Sequence, residues 1–494
     1  MLPGIITWSF LIFGTYLSFT MPIAMAMFII IFDLYWMVKV FYITAFAILG
    51  YRRMRIWNEV DWHAKCHKLG TMKKEAAEKG LLTDWRSIYH LIIIPTYNEG
   101  LEILKPSIDS ILHSDYPKDR VILVVAFEER AGEAALERAK KLEEEYGKKF
   151  FGYLTTVHPD GIAGEAKVKG ANASWAAEEA RLFLDEKNIK YENVIVSTFD
   201  SDTCVHSKYF SCLTYQFMIN PKRLRHSYQP LPLYNNNIWR TSSIVRVIMV
   251  SCSFWQIMQS VRYDKMVTFS SHSMSFKTLV DVDYWPRDMI SDDSIIFWKC
   301  YLLYHGDYYA QPIYLPVSLD AVLAENFHRT LLNQYRQQRR WAWGIENVPI
   351  IYRSFLQDKK IPLWKKITRG WEELGGRVSW GLTPIIIAFF GWLPQILGGE
   401  KFNQTVLAMN LPKVLGSLMA IAMVGLLVSM FLSLFLLPPP PYKTSLFKRF
   451  SMILQWVLAP IVAVPLGAFP MIDAQTRMLF GKYMEFWVTE KVRK

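Results

Sequence analysis

The sequence predicts a mostly parallel α/β domain carried between membrane-spanning helices, and three observations predict it. Both ends of the 494-residue chain are apolar, while its middle carries most of the charge. Within the middle, short β-branched runs alternate with helix-patterned stretches, as in a parallel sheet with crossover helices. The composition also falls between two classes. At 52% hydrophobic and 15% aromatic the chain is too apolar for an ordinary soluble enzyme, and at 20% charged it is too polar for a membrane bundle alone. The length calls for two or three units.

Residues 1–51 are the first element. Positions 4–51 hold only two charges, Asp33 and Lys39, and lack the basic start and small-residue cleavage site of a signal peptide. A span takes about 20 apolar residues, so the run predicts a hairpin of two helices split near Thr20-Met21-Pro22. Arg52, Arg53 and Arg55 follow at once. Basic flanks collect on the cytoplasmic side, so the domain beyond them is expected in the cytosol. Residues 52–88, charged and helix-favouring, read as a cytosolic lead-in.

Residues 89–350 carry the alternating pattern. "YHLIIIPTYNEG" reads as a buried strand and its exit loop, and "VILVVAF" (121–127) and "NVIVSTFDSD" (193–202) read the same way. Helical stretches at 102–113, 129–146 and 164–187 separate them. In such sheets ligands gather at the carboxyl ends of the strands, where "PTYNE" and "DSD" both fall.

Residues 351–376 read as interfacial amphipathic helices and 377–470 as a second membrane region, with apolar runs at 380–397, 412–437 and 450–470. The prolines of 438–441, followed by Lys443, Lys448 and Arg449, mark a cytoplasmic loop. Residues 471–494 then form a cytosolic tail, which requires an even number of crossings in between. Three runs are odd, and the last, carrying Pro460, Pro465 and Pro470, is expected to be a broken re-entrant or interfacial element. The chain reads as a multi-pass protein of the plasma or cytoplasmic membrane.

The net charge of +12 fits nucleic acid as well as membrane topology. The basic clusters adjoin apolar runs and no nucleic-acid motif accompanies them, so topology is preferred and no nucleic-acid partner is expected. A transporter would carry ionisable groups within its spans, and here they are nearly absent. Five cysteines, an odd number without metal-ligand spacing, read as reduced packing residues.

Four stretches carry candidate chemistry. Asp200-Ser201-Asp202 ends a strand; its carboxylates can face a divalent metal, which prefers hard oxygen ligands, or cap the next helix. Ser291-Asp292-Asp293-Ser294 opens a helix, where carboxylates suit the dipole and one can also serve as a general base. "GEAKVKGANASWA" (164–176) sets Lys167, Lys169 and Asn172 among small residues, as a diphosphate site or an ordinary basic helix start would. In "QQRRWAWG" (337–344), the arginines suit a solvated face or a diphosphate clamp. Trp341 and Trp343 suit a membrane interface or a stacked sugar.

In order, "PTYNE" (95–99), "DSD", "SDDS" (291–294) and "QQRRW" (337–341) resemble the signatures of membrane-embedded family 2 glycosyltransferases. The processive cellulose, chitin and hyaluronan synthases are the nearest type. Phe486, Val488, Thr489 and Lys491 further resemble the F-x-V-T-x-K gating loop of bacterial cellulose synthases. The resemblance implies a GT-A catalytic domain over about 90–345 and inverting transfer from a nucleotide sugar, uridine diphosphate being the expected carrier. The acceptor would be a growing β-linked glycan, exported through the chain's own helices, or alternatively a lipid carrier or glycolipid taking a single sugar. It implies that Pro95, Tyr97, Asn98, Glu99, Lys167, Asp200, Gln337, Arg340, Thr489 and Lys491 serve the donor, with Asp202 holding Mg²⁺ or Mn²⁺. Asp293, beside Asp292, would be the base, and Trp341 and Trp343 would meet the acceptor. Two departures stand out. Ser291-Asp292 replaces the family's Thr-Glu before the base, and "VVAFEER" offers only Glu128 or Glu129 where an Asp contacts the nucleobase.

Overall fold

The computed structural model describes residues 1–71, 78–440, 445 and 451–484. Thr489 and Lys491, and the loop cations Lys443, Lys448 and Arg449, lie outside the described residues. The strands are β1 (Tyr89–Pro95), β2 (Val121–Glu128), β3 (Gly152–His158), β4 (Val194–Thr198), β5 (Cys204–Val205), β6 (His226–Leu233), β7 (His272–Ser275) and β8 (Tyr309–Ser318). They form one sheet in the order β3-β2-β1-β4-β7-β6-β8-β5. The block from β3 to β4 is parallel, as is the β6–β8 pair, while β7 and β5 run against their neighbours.

Period-2 alternation explains the layering. Ile92, Ile94, Leu123 and Val125 pack one face against helices Leu101–Leu112, Glu133–Tyr146 and Tyr209–Met218. Leu91, Ile93, Ile122 and Val124 pack the other against helices Lys169–Glu186 and Asp292–Leu303. With both faces covered, a strand can be apolar throughout, which is why "LIIIP" needs no polar alternation. His90 interrupts this interior. It is fully buried with Nε2 2.8 Å from Thr214 Oγ1, and burial, helped by the charge of Lys118, pushes its pKa down to about 3.

Five helices among the described residues are long and apolar enough to cross a membrane: Leu2–Thr20, Pro22–Glu59, Ser243–Val261, Val406–Leu436 and Ser451–Leu479. Met21 breaks the first two, with φ −134° and ψ 57°, and Pro22 opens the second. The 38-residue second helix is about 57 Å long, more than a bilayer core needs, and runs on through the arginine cluster. Ser243–Val261 lies within the stretch read from sequence as the catalytic domain and docks on that helix. Gly50 permits the contact, since a Cβ there would lie 2.6 Å from Ile257 O. The run 380–397 is not one helix. Leu363–Ile385 passes into a π-turn at Ile386–Phe390, and a short helix, Leu393–Leu397, follows. Pro384 and Pro394, which cannot donate to a helical ladder, bracket the break. Ser451–Leu479 likewise contains a π-turn, at Val464–Ala468.

The folded pKa of His90 lies below its ordinary 6.5, so the unfolded chain binds more protons in acid. The stability His90 contributes is full above pH 6.5 and is lost as pH falls toward 3. The thermal stability of the detergent-solubilised protein should therefore fall on acidification below that point. This group accounts for up to about 1.4 kcal/mol per pH unit, and His90→Gln should remove that component. An identical acid response in both proteins would acquit His90.

Candidate active site

The carboxyl edge of the sheet collects the exits of β1, β4, β6 and β8 and the entry to antiparallel β7. At its centre is Lys169, the first residue of helix Lys169–Glu186. Its Nζ donates to Asp200 Oδ1 at 2.8 Å and to Asp293 Oδ1 at 3.1 Å. Burial pulls the ammonium's pKa down, and the charges of Asp200, Asp293 and Asp292 more than offset it, leaving the pKa raised. The helix comes this close because residue 170 is glycine. A Cβ there would lie 2.4 Å from Pro286 O and 3.0 Å from Asp292 Cβ.

Asp200 also accepts from Ser270 Oγ at 2.9 Å, at the mouth of β7. Asp202 is 2% exposed, and its Oδ2 accepts from Asp320 N at 2.9 Å. Asn236 Nδ2 ties the two exits together, donating to Asp202 O at 2.9 Å and Asp320 Oδ1 at 3.0 Å. Both DSD carboxylates offer hard oxygens to a cation. No cluster of three or more His, Cys, Asp or Glu side chains suited to a metal occurs among the described residues. A cation here would therefore have to take further ligands from a bound diphosphate and water.

Asp292 and Asp293 open helix Asp292–Leu303. Thr268 Oγ1 donates to Asp293 O at 2.7 Å, and His272 Nδ1 lies 3.8 Å from Asp293 Oδ1. Asp292 points inward. It is 3% exposed, its Oδ2 has no hydrogen-bond partner among the described residues, and burial followed by the charge of Asp293 pushes its pKa up.

Helix Phe327–Ala342 supplies the QQRRW residues. Arg340 lies close enough to act electrostatically on Asp292 and Tyr234, while Arg339 turns away and donates to Asp473 Oδ2 at 2.8 Å. Gln337 is buried, and its Oε1 finds no partner among the described residues. The Trp341 ring packs on Tyr234 with centroids 5.6 Å apart.

Several expected residues sit elsewhere than the sequence suggested. Lys167 is separate from the carboxylates; it is exposed and pairs with Asp160 at 3.0 Å, on the rim of a pocket shared with Glu128, Arg130 and His158. Two residues further on, Lys169 takes the central place, because the helix start rather than the preceding loop reaches over the strand ends. Trp343 is also corrected. At 1% exposure, with Nε1 donating to Glu346 Oε2 at 3.1 Å, it offers no free face to an acceptor. Trp285 is equally enclosed. In the β1 exit, Pro95 closes the strand and Asn98 is exposed. Glu99 braces its own loop, Oε2 accepting from Tyr97 N at 2.7 Å and Thr96 Oγ1 at 2.9 Å. The Tyr97 ring lies against the Arg130 guanidinium at 4.5 Å, and Arg130 pairs with buried Glu128. Asn172 Nδ2 donates to Ala126 O at 2.8 Å, tying the crossover helix to β2.

Sequence reasoning missed Tyr234, Asn236, Asp320 and Glu346. Tyr234 directly follows β6 and Asp320 comes two residues after β8, a usable signal for residues at a carboxyl edge. Glu346 offered none.

A largely parallel sheet whose carboxyl edge joins an acidic exit loop to a helix-opening Asp pair defines a GT-A-like sugar transferase, flanked here by apolar helices. The chain belongs to glycosyl transferase family group 2, whose family model matches residues 195–469. No curated protein matches it. Among solved structures it is similar to the mannosyltransferase PcManGT from Pyrobaculum calidifontis in complex with GDP-Man and Mn²⁺. Identity is 15% and the TM-score 0.44, covering 91% of this chain and 100% of that one. It is also similar to S. aureus TarS 1–349 in complex with UDP-GlcNAc, with 13% identity and a TM-score of 0.37, covering 81% and 94%.

The buried carboxyl of Asp292 can be tested through stability. The folded pKa of Asp292 is raised, so its contribution to stability is present in acid and lost as pH rises through that value. Asp292→Asn stays neutral, and its thermal stability relative to wild type should improve as the buffer is made more alkaline. A stability difference that does not change with pH would contradict this placement of the proton.

Proposed function

We propose that this glycosyltransferase is an inverting, metal-dependent enzyme that moves a sugar from a nucleotide-sugar donor to a growing β-linked polysaccharide, in a cytosolic domain anchored by its apolar helices. The observation that carries the reading is the shared ammonium: Lys169 holds the strand-exit Asp200 and the helix-opening Asp293 in one charge cluster. A donor-side acid and a base are thereby fixed side by side, as a single displacement requires.

In this reading the donor lies along the exits of β1, β2 and β4, with its nucleotide toward Pro95, Tyr97, Asn98 and Glu99. Uridine diphosphate is the expected carrier. Asp200 takes the sugar side, and Gln337 and Arg340 hold the diphosphate. Asp202 would hold Mg²⁺ or Mn²⁺, which supplies charge neutralisation on the departing diphosphate. Asp293 accepts the proton of the acceptor hydroxyl. The freed oxygen bonds to the anomeric carbon as the carbon–oxygen bond to the diphosphate breaks on the opposite face, so an α-linked donor yields a β-linked product. Arg340 then meets the leaving negative charge with a fixed cation and needs no reorganisation. Trp341, with Tyr234, offers an aromatic face to the acceptor ring.

Support for a polymeric product comes from the surroundings of that face. Tyr234 and Trp341 belong to one apolar cluster with Met430 of helix Val406–Leu436 and Trp456 and Val462 of Ser451–Leu479. A chain growing there would meet apolar helices directly. Transfer of one sugar to a lipid carrier remains the competing product class, since the same helices would also meet a lipid.

The test is nucleotide release by the full-length protein in lipid nanodiscs, over a panel of UDP-, GDP- and dTDP-sugars with Mg²⁺ or Mn²⁺. One donor should turn over, chelation should abolish it, and Asp293→Asn should slow it about 10²–10⁴-fold. Sizing the product then decides polymer against single transfer. Release untouched by Asp293→Asn would sink the base assignment.

A further inference from the structure

Glu346 is a buried carboxylate that the reading above does not use. It is 7% exposed and lies in the turn Trp343–Glu346, which continues the helix of Gln337, Arg340 and Trp341. Oε1 accepts from the backbone N–H of Ser291 at 2.7 Å. Oε2 accepts from Trp343 Nε1 at 3.1 Å and from the Tyr483 hydroxyl at 2.9 Å. The next residue, Asn347, accepts from Ser291 Oγ at 2.8 Å and donates from Nδ2 to Ser294 Oγ at 2.8 Å.

These bonds hold the base-bearing helix from outside, at the N–H and hydroxyl of its capping residue. A helix start leaves N–H groups without intrahelical partners, and the first residue's own side chain usually accepts from one of them. Ser291 occupies that capping position before Asp292–Leu303 but makes no such bond. Its hydroxyl is given to Asn347 and its N–H to Glu346. The start of the helix is therefore held by the acceptor-side segment instead of by itself. A third segment joins at Tyr483, whose ring meets Trp343 edge-on at 5.4 Å between centroids.

We propose that Glu346 and Tyr483 are positioning residues, locking the loop that carries Asp293 to the segment that carries Gln337, Arg340 and Trp341. The proposal rests on the reading of Asp293 as base. Because Glu346 bonds Ser291 N–H directly, a change in its anchoring moves the start of the Asp293 helix. Placement errors of about 1 Å between reacting groups cost up to about 100-fold in rate. Tyr483 anchors the far oxygen of Glu346 at 2.9 Å and its hydroxyl also lies 3.2 Å from Asp288 O, in the segment leading to Asp293, so loss of that hydroxyl loosens the same lock without removing it.

The experiment compares Tyr483→Phe, Glu346→Gln and their double variant in full-length protein in nanodiscs, using whichever member of the UDP-, GDP- and dTDP-sugar panel turns over with Mn²⁺. Tyr483 is 57% exposed and Phe keeps the ring against Trp343, so Tyr483→Phe should fold normally. Each single variant should lower kcat about tenfold while the donor KM stays within about twofold, since donor contacts are untouched. The double variant should be no slower than Glu346→Gln alone, because both remove one link. If Glu346→Gln does not fold, Tyr483→Phe alone decides. A kcat within about twofold of wild type in folded Tyr483→Phe, a change confined to KM, or additive losses in the double variant would overturn the proposal. Asp293→Asn in the same assay separates the two claims. If that variant stays active the base reading falls, whereas if it is inactive and Tyr483→Phe is normal, only the positioning claim falls.

Discussion

Everything in the site depends on one partly buried cation. Lys169 has lost most of its contact with water, and two carboxylates meet its ammonium in return. The three partners come from a crossover helix, a strand exit and a second helix start, far apart in sequence. Removing the ammonium would take away the cation that Asp200 and Asp293 share and leave Arg340 as the positive charge acting on Asp292. The charge cluster is therefore as much a constraint on packing as a feature of chemistry. Gly170 is its geometric counterpart, since any Cβ there would collide with Pro286 O and hold the helix off.

How far this was legible in the sequence varied with the physics behind each feature. β1, β2 and β4 were readable because strands buried on both faces are apolar runs, and the exits carrying Tyr97 and Asp200 followed from strand direction. Asp293 was readable as a helix-opening acid. Which lysine would reach the carboxylates was not, because Lys167 and Lys169 differ only in where the helix begins, and boundaries are the weakest part of any sequence reading. Trp343 and Trp341 look alike in a string, yet two helical positions, about 200° of rotation, send the first into the core and the second toward Tyr234. Glu346 and Asn347 gave no signal, because their partners are a backbone N–H and two serine hydroxyls more than fifty positions earlier. Ser243–Val261 was hidden for another reason. It is apolar on the side that meets Gly50 and helix Pro22–Glu59, and it lies within the span of the catalytic domain.

The two arginines of "QQRRW" show how the membrane helices are joined to the site. Adjacent helical residues point about 100° apart, so one helix can face two ways. Arg340 faces the aspartates, and Arg339 reaches the other way to Asp473, which also accepts from Arg477 Nε at 2.8 Å. Asp473 belongs to the last turns of Ser451–Leu479, an apolar element interrupted by a π-turn. Helix Phe327–Ala342 is thus pinned by an ion pair to a candidate membrane helix on its outer face, while Arg340 on its inner face acts on the aspartates.

That arrangement gives the site two chemically different ends. Toward β2 and β3 it is lined by charged and polar groups, Glu128, Arg130, His158 and Lys167, which suit a nucleotide and not a lipid. Toward β6 and helix Phe327–Ala342 it ends in the Tyr234–Trp341 pair, backed by apolar residues of the candidate spans. Lys169, Asp200 and Asp293 stand between. A polar donor entering from one end and an acceptor held at the other would meet only at this charge cluster. The order of the sheet enforces the separation: β1, β2 and β3 lie on one side of β4, and β6, β7 and β8 on the other. Asp200, at the exit of β4, lies at the point where the parallel block ends and antiparallel β7 begins. The strand order reverses between β1 and β4, and such a switch point at the carboxyl edge is where a crevice opens, with Asp200 beside it.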